Sequence, residues 1–64
     1  MPPKVRDLIK KLKKEGFEER GGKGSHRIFK HPSGVRVTLG GNPGNDAKPY
    51  QELDVKKGLE EVRE

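Results

Sequence analysis

The sequence has no cysteine and no tryptophan, and among its 64 residues only three are aromatic, Phe17, Phe29 and Tyr50. Without cysteine there is neither a disulfide nor a thiolate metal site to hold a small chain together, and the oxidising compartments where disulfides form are not indicated. Long apolar runs are missing as well. Met1-Pro2-Pro3-Lys4 leads straight into a charged amphipathic stretch, so neither a signal peptide nor a membrane span is expected, and an unprocessed cytoplasmic protein is the simplest expectation. Only 27% of the residues are hydrophobic. One domain spanning residues 1–64 is what such a chain can hold, and at this length only about 60% of the unfolded surface is buried, which makes stability marginal.

Charge is what the sequence does have, and it is unevenly placed. Residues 1–40 carry eleven Lys/Arg against four Asp/Glu, a balance of +7, whereas residues 41–64 carry four against six, a balance of −2. A basic N-terminal part suits a polyanion such as nucleic acid, although a merely solvated lysine-rich surface has the same composition.

Val5, Leu8, Ile9 and Leu12 fall at i, i+3, i+4 and i+7, which predicts an α-helix over Lys4–Glu15 with one apolar face. Gly16 can take the left-handed conformation that ends it, with Phe17 placed to touch Leu12. A short strand over Phe17–Arg20, a glycine-rich segment from Gly21 to Ser25 and a strand over His26–His31 follow. Pro32-Ser33-Gly34 has turn chemistry, so Val35–Leu39 returns as an antiparallel partner. If His31 faces Val35, then Phe29 faces Val37, which puts Phe29, Val35, Val37 and Leu39 on the core side and Lys30, Arg36 and Thr38 outside. Ile28 carries the outer parity despite being apolar. His26 carries it too, and is expected to look onto the basic sheet face. Gly40–Lys48 reads as a flexible polar loop ended by Pro49. A second helix is expected from about Asp54, with Val55, Leu59 and Val62 on one side and Gly58 as its weak point unless the glycine permits close packing. The expected core is Leu8, Ile9, Leu12, Phe17, Phe29, Val37, Leu39, Leu59 and Val62.

The segment Gly21-Gly22-Lys23-Gly24-Ser25-His26 carries the most chemical information. Glycines let a backbone approach a ligand and turn its amides toward an anion. Lys23 adds a cation, and His26 is the one side-chain type whose ordinary pKa, about 6.5, lets it exchange a proton near neutral pH. RNA needs little more, because its own 2′-hydroxyl attacks the adjacent phosphate once a base removes the proton. A plain glycine connection with an exposed histidine fits these residue types equally well. The segment is not a nucleotide-triphosphate loop, since Lys23 is followed by glycine and a strand. Nor is Gly21-x-x-Gly24 a KH clamp, which joins two helices. His31 reads as structural or surface. A metal site is not expected from two histidines without cysteine. Tyr50 has the chemistry to stack a base, yet a tyrosine anchoring the second helix to the sheet is the more ordinary role. Asp46 and Asp54 are potential partners for His26, but nothing in the sequence places either beside it.

Val5-Arg6-Asp7-Leu8-Ile9-Lys10, Lys14-Glu15-Gly16-Phe17, the run from Lys23 through Gly24-Ser25-His26 to His31-Pro32-Ser33-Gly34, and Val37-Thr38-Leu39 together resemble the HicA family of bacterial and archaeal toxins. The resemblance covers about two-thirds of the chain. It implies an α+β fold of order α-β-β-β-α, with a three-stranded antiparallel sheet carrying both helices on one face, similar to a double-stranded-RNA-binding domain. It further implies a ribosome-independent mRNA interferase, an endoribonuclease that uses no cofactor, neutralised by a HicB-like antitoxin that covers the active region. The family's catalytic histidine falls on His26, and Lys23, Gly24, Ser25, Arg27, Lys30 and Arg36 are the expected RNA contacts. After Leu39 the chain departs from the family pattern, carrying Gly40-Gly41-Asn42-Pro43-Gly44 and Tyr50-Gln51-Glu52-Leu53. Two other classes stand beside the enzyme: a non-catalytic double-stranded-RNA-binding module, and a structural subunit whose basic face binds an acidic antitoxin.

Overall fold

A computed structural model describes residues 2–21 and 26–63. Among these the order is α1 (Val5–Lys14), β1 (Glu18–Glu19), β2 (Arg27–Lys30), β3 (Arg36–Leu39) and α2 (Pro49–Arg63). The α-β-β-β-α arrangement expected from the resemblance is present, with the strands antiparallel in the order β1-β2-β3.

The apolar stripe of α1 is buried as its spacing requires, with Val5, Leu8, Ile9 and Leu12 all in the core. Gly16 ends the helix at φ +96°. Its N–H donates to the Lys13 carbonyl, and the Phe17 N–H donates to that of Leu12 at 3.0 Å. These are the two bonds of a Schellman cap, and they satisfy carbonyls the helix leaves open. The cap turns the chain directly into β1, and Phe17 enters the core.

The hairpin register is the expected one, Phe29 opposite Val37 and Lys30 opposite Arg36, closed by the His31 N–H donating to the Val35 carbonyl. Phe29, Val37 and Leu39 consequently point toward the helices and are buried, while Val35 packs against the core's edge. Lys30, Arg36 and Thr38 are exposed on the outer face, and Ile28 is half-buried there opposite Thr38.

Two expectations about the C-terminal third are overturned. The second helix begins at Pro49, five residues before Asp54. Proline is well suited to the first helical position, because its missing N–H has no helical partner there anyway. The side-chain carbonyl of Gln51, in the third position, accepts the Lys48 N–H at 2.9 Å, one half of a capping box. Gly40–Lys48 is also no free loop. Carbonyls of Asn45 and Pro43 accept the N–H groups of Val5 and Arg6, and the Ala47 N–H donates to Pro3. The segment thus caps the start of α1 and buries Ala47.

These contacts enlarge the core beyond the expected set by Val5, Ala47 and Val55, whereas Leu59 and Val62 are only partly buried against it. Gly58 is buried against Val37, Phe17 and Val35, so its small size does permit the close approach of α2 to the sheet.

Candidate active site

His26 stands one residue ahead of β2 and is exposed. Extending the hairpin register by one step brings it opposite Gly40, and its ring lies over that glycine: a Cβ at position 40 would stand 3.0 Å from His26 Nδ1. Any side chain at position 40 would crowd the imidazole.

The imidazole does not look onto the outer sheet face, as strand parity led one to expect. It lines a cleft of about 360 Å³ at the end of the sheet, where Val5 of α1 and Lys48, Tyr50 and Gln51 around the start of α2 supply other parts of the wall. Alternation fails here because position 26 lies outside the paired ladder that enforces it. Asp46 lines the same cleft, a placement the sequence did not disclose. Its carboxylate is engaged by Lys4 Nζ at 2.6 Å, so its charge is locally matched.

Tyr50 is the clearest reversal. It does not anchor α2 to the sheet, for it is 59% exposed. The anchoring is done instead by Gln51, which is buried and whose Nε2 donates to the Gly40 carbonyl at 2.9 Å. A glutamine two residues after Pro49 suits the third position of a helix, but nothing in the sequence marks it as buried.

The expected cationic contacts do not form one cluster. Lys30 and Arg36 sit side by side on the outer face, with Glu18 registered against Lys30 on the other flank. At roughly 3.3 Å per strand residue, Lys30 lies about 13 Å along the chain from His26. Arg27 has the parity of Phe29, toward the helices, and pairs with Glu19 at 3.3 Å; Lys13 approaches that same carboxylate at 3.9 Å. Lys23, Gly24 and Ser25 lie outside the described residues. Among the described residues no group of three or more His, Cys, Asp and Glu side chains is arranged to hold a metal ion.

His31 is placed as a structural residue. Its Nδ1 accepts the Ser33 N–H at 3.0 Å, its ring is 5.2 Å from that of Phe17, and its Nε2 lies over Gly16. It therefore braces the turn and the α1 cap. Nearby, the Arg63 guanidinium donates to Glu15 at 2.7 Å, and this hydrogen bond together with its positive charge holds the Glu15 carboxyl below its ordinary value.

The described residues thus form a small basic α-β-β-β-α domain with a histidine at the mouth of a cleft. The family described as the HicA toxin of bacterial toxin-antitoxin systems matches residues 5–61, and the chain belongs to that family. Membership makes it the toxin component of a toxin–antitoxin pair, with an antitoxin as its partner. The match includes α2 through Glu61. No curated protein matches the chain. No helix among the described residues is long and apolar enough to cross a membrane.

Proposed function

We propose that the chain, acting as one domain over residues 1–64, is a cytoplasmic, ribosome-independent endoribonuclease that cleaves mRNA and is neutralised by a HicB-like antitoxin. His26 acts as general base toward the 2′-hydroxyl or as general acid toward the leaving 5′-oxygen. The observation that carries this reading is the position of His26 itself: exposed, held over a glycine, and at the edge of a cleft with room for a nucleotide. A structural histidine would be expected to pack as His31 does.

The cations divide the work by position. Lys23, Gly24 and Ser25 immediately precede His26 in the chain and Arg27 follows it, and these four are assigned to the reacting phosphate. Lys30 and Arg36, about 13 Å away, hold a neighbouring stretch of backbone. Such contacts make binding strongly dependent on salt and nearly indifferent to sequence.

The test is end-group analysis of RNA incubated with the purified chain in the absence of ribosomes. Fragments ending in 2′,3′-cyclic phosphate and 5′-hydroxyl are expected, and DNA of the same sequence should be untouched because it has no 2′-hydroxyl. RNA that is bound but left intact would transfer the chain to the non-catalytic module.

A further inference from the structure

The first turn of α2 is held unusually firmly. Gln51 is buried with both ends of its amide engaged, one by the Lys48 N–H and the other by the Gly40 carbonyl, so the turn is fixed to the end of β3. Tyr50 precedes Gln51 and is rotated about 100° around the helix from it. It turns outward instead of inward, and together with Leu53 it is one of the two large apolar side chains left exposed among the described residues.

Its surroundings distinguish it from a stray surface aromatic. Tyr50 shares its cleft with His26, with Gly40, whose missing side chain is what admits the His26 ring, and with the exposed cation Lys48. The one acid among the described residues that line the cleft, Asp46, is bonded to Lys4. Leu53, by contrast, is not part of the lining. A protein partner would favour a continuous apolar strip, whereas an aromatic ring beside a cation and a proton-exchanging imidazole suits a nucleotide, with its flat base and its phosphate.

We infer that Tyr50 is a stacking platform for an unpaired nucleobase of single-stranded RNA, seating the base next to the phosphate that His26 addresses. This rests on the ribonuclease reading and sharpens it. A base can lie against the ring only if it is out of a duplex, so single strands, loops and bulges are the substrate class, and regular double helices are not. The fixed first turn matters here because a platform that is already ordered gives up little freedom on binding.

The chain carries one tyrosine and no tryptophan, so its intrinsic emission reports on Tyr50 alone. Titration with an uncleavable 2′-O-methyl single-stranded oligonucleotide should quench that emission with the same midpoint as the anisotropy of the end-labelled strand. A sugar-phosphate strand without bases should not quench. Tyr50→Ala should weaken anisotropy-detected binding roughly 5- to 150-fold, the range expected for losing one stacked base, while Tyr50→Phe should retain it.

Unchanged emission at saturation, or Tyr50→Ala binding RNA at the parent affinity, would overturn the platform while leaving the ribonuclease reading standing. A Tyr50→Ala chain that keeps its RNA affinity but loses its antitoxin would reassign the ring to the protein partner. If the parent chain neither binds nor cleaves RNA, the ribonuclease reading falls and the platform with it.

Discussion

Gly58 of α2 approaches Val37 of β3 so closely that a Cβ built on the glycine would stand 2.5 Å from Val37 Cγ2. Real Cβ atoms do not tolerate that distance, and a valine in a strand has little rotamer freedom with which to move aside. Gly58→Ala should therefore destabilise the domain, even though alanine is better than glycine in a helix by about 1 kcal/mol. The overpacking is expected to amount to about 1 to 3 kcal/mol. Val37→Ala, which removes the opposing methyls, should turn Gly58→Ala from harmful to favourable. Urea unfolding of the two single variants and the double variant checks this, and additive effects would show that the contact is not what requires glycine.

Gly16 combines two constraints that can be separated. Its φ of +96° disfavours any side chain, and a Cβ there would also meet His31 Nε2 at 3.2 Å. Gly34 has nearly the same φ, +99°, but open space around it. Gly34→Ala should thus report the conformational penalty alone, and Gly16→Ala the penalty plus crowding. Gly16→Val, with a β-branched residue in the left-handed region, should lose about 1 to 3 kcal/mol, a large part of what so small a domain has. Melting midpoints give the order directly, and a Gly16→Val chain as stable as its parent would refute it.

The ion pair between Glu15 and Arg63 joins the end of α1 to the end of α2, and it carries a pH signature. Arg63 lowers the Glu15 carboxyl in the folded chain only, through its hydrogen bond and its charge. Stability from this pair is consequently full above the ordinary carboxylate range and is lost as pH falls through the lowered value. Glu15→Gln should differ from the parent at neutral pH and converge with it in acid. Both partners are partly solvated, so the difference should be small and should shrink with added salt. Denaturant midpoints at neutral and acid pH, each at low and high salt, measure it; a difference that persists undiminished in acid would place its cause elsewhere.

What was legible in the sequence follows the range of the interactions that decide it. The face of α1, the Gly16 cap and the pairing of Phe29 with Val37 are set by residues close together in the chain, where spacing and turn chemistry speak directly. The start of α2 was missed because the apolar period only becomes clear at Val55, while Tyr50 and Leu53 face outward and the inward position is taken by a polar residue, Gln51. Gly40–Lys48 looked like a free loop because its carbonyls bond the N-terminus of α1, some forty residues away. The surroundings of His26 rest on both features, because only a helix that starts at Pro49 and a loop bonded to α1 bring Tyr50, Lys48 and Asp46 to the histidine.

The two histidines give the sharpest contrast, since one side-chain type occupies two unlike settings five residues apart. His31 is committed to the fold: Nδ1 accepts the Ser33 N–H, and the ring lies near that of Phe17 and the backbone of Gly16. Replacing it with alanine removes a turn contact and an aromatic neighbour of the α1 cap, so His31→Ala should lower the melting midpoint and spare RNA cleavage at temperatures where the chain is folded. His26 is exposed and rests over Gly40 at the cleft, so His26→Ala should leave the melting midpoint nearly unchanged. If its imidazole moves a proton in the reaction, the same substitution should slow cleavage by about 10² to 10⁴, the usual worth of a general acid or base. RNA affinity should largely survive, because the lysine and arginine contacts remain. Circular dichroism, melting and single-turnover cleavage on both variants read the three quantities separately. A folded His26→Ala chain that cleaves at the parent rate, or a folded His31→Ala chain that does not cleave, would move the active site away from His26.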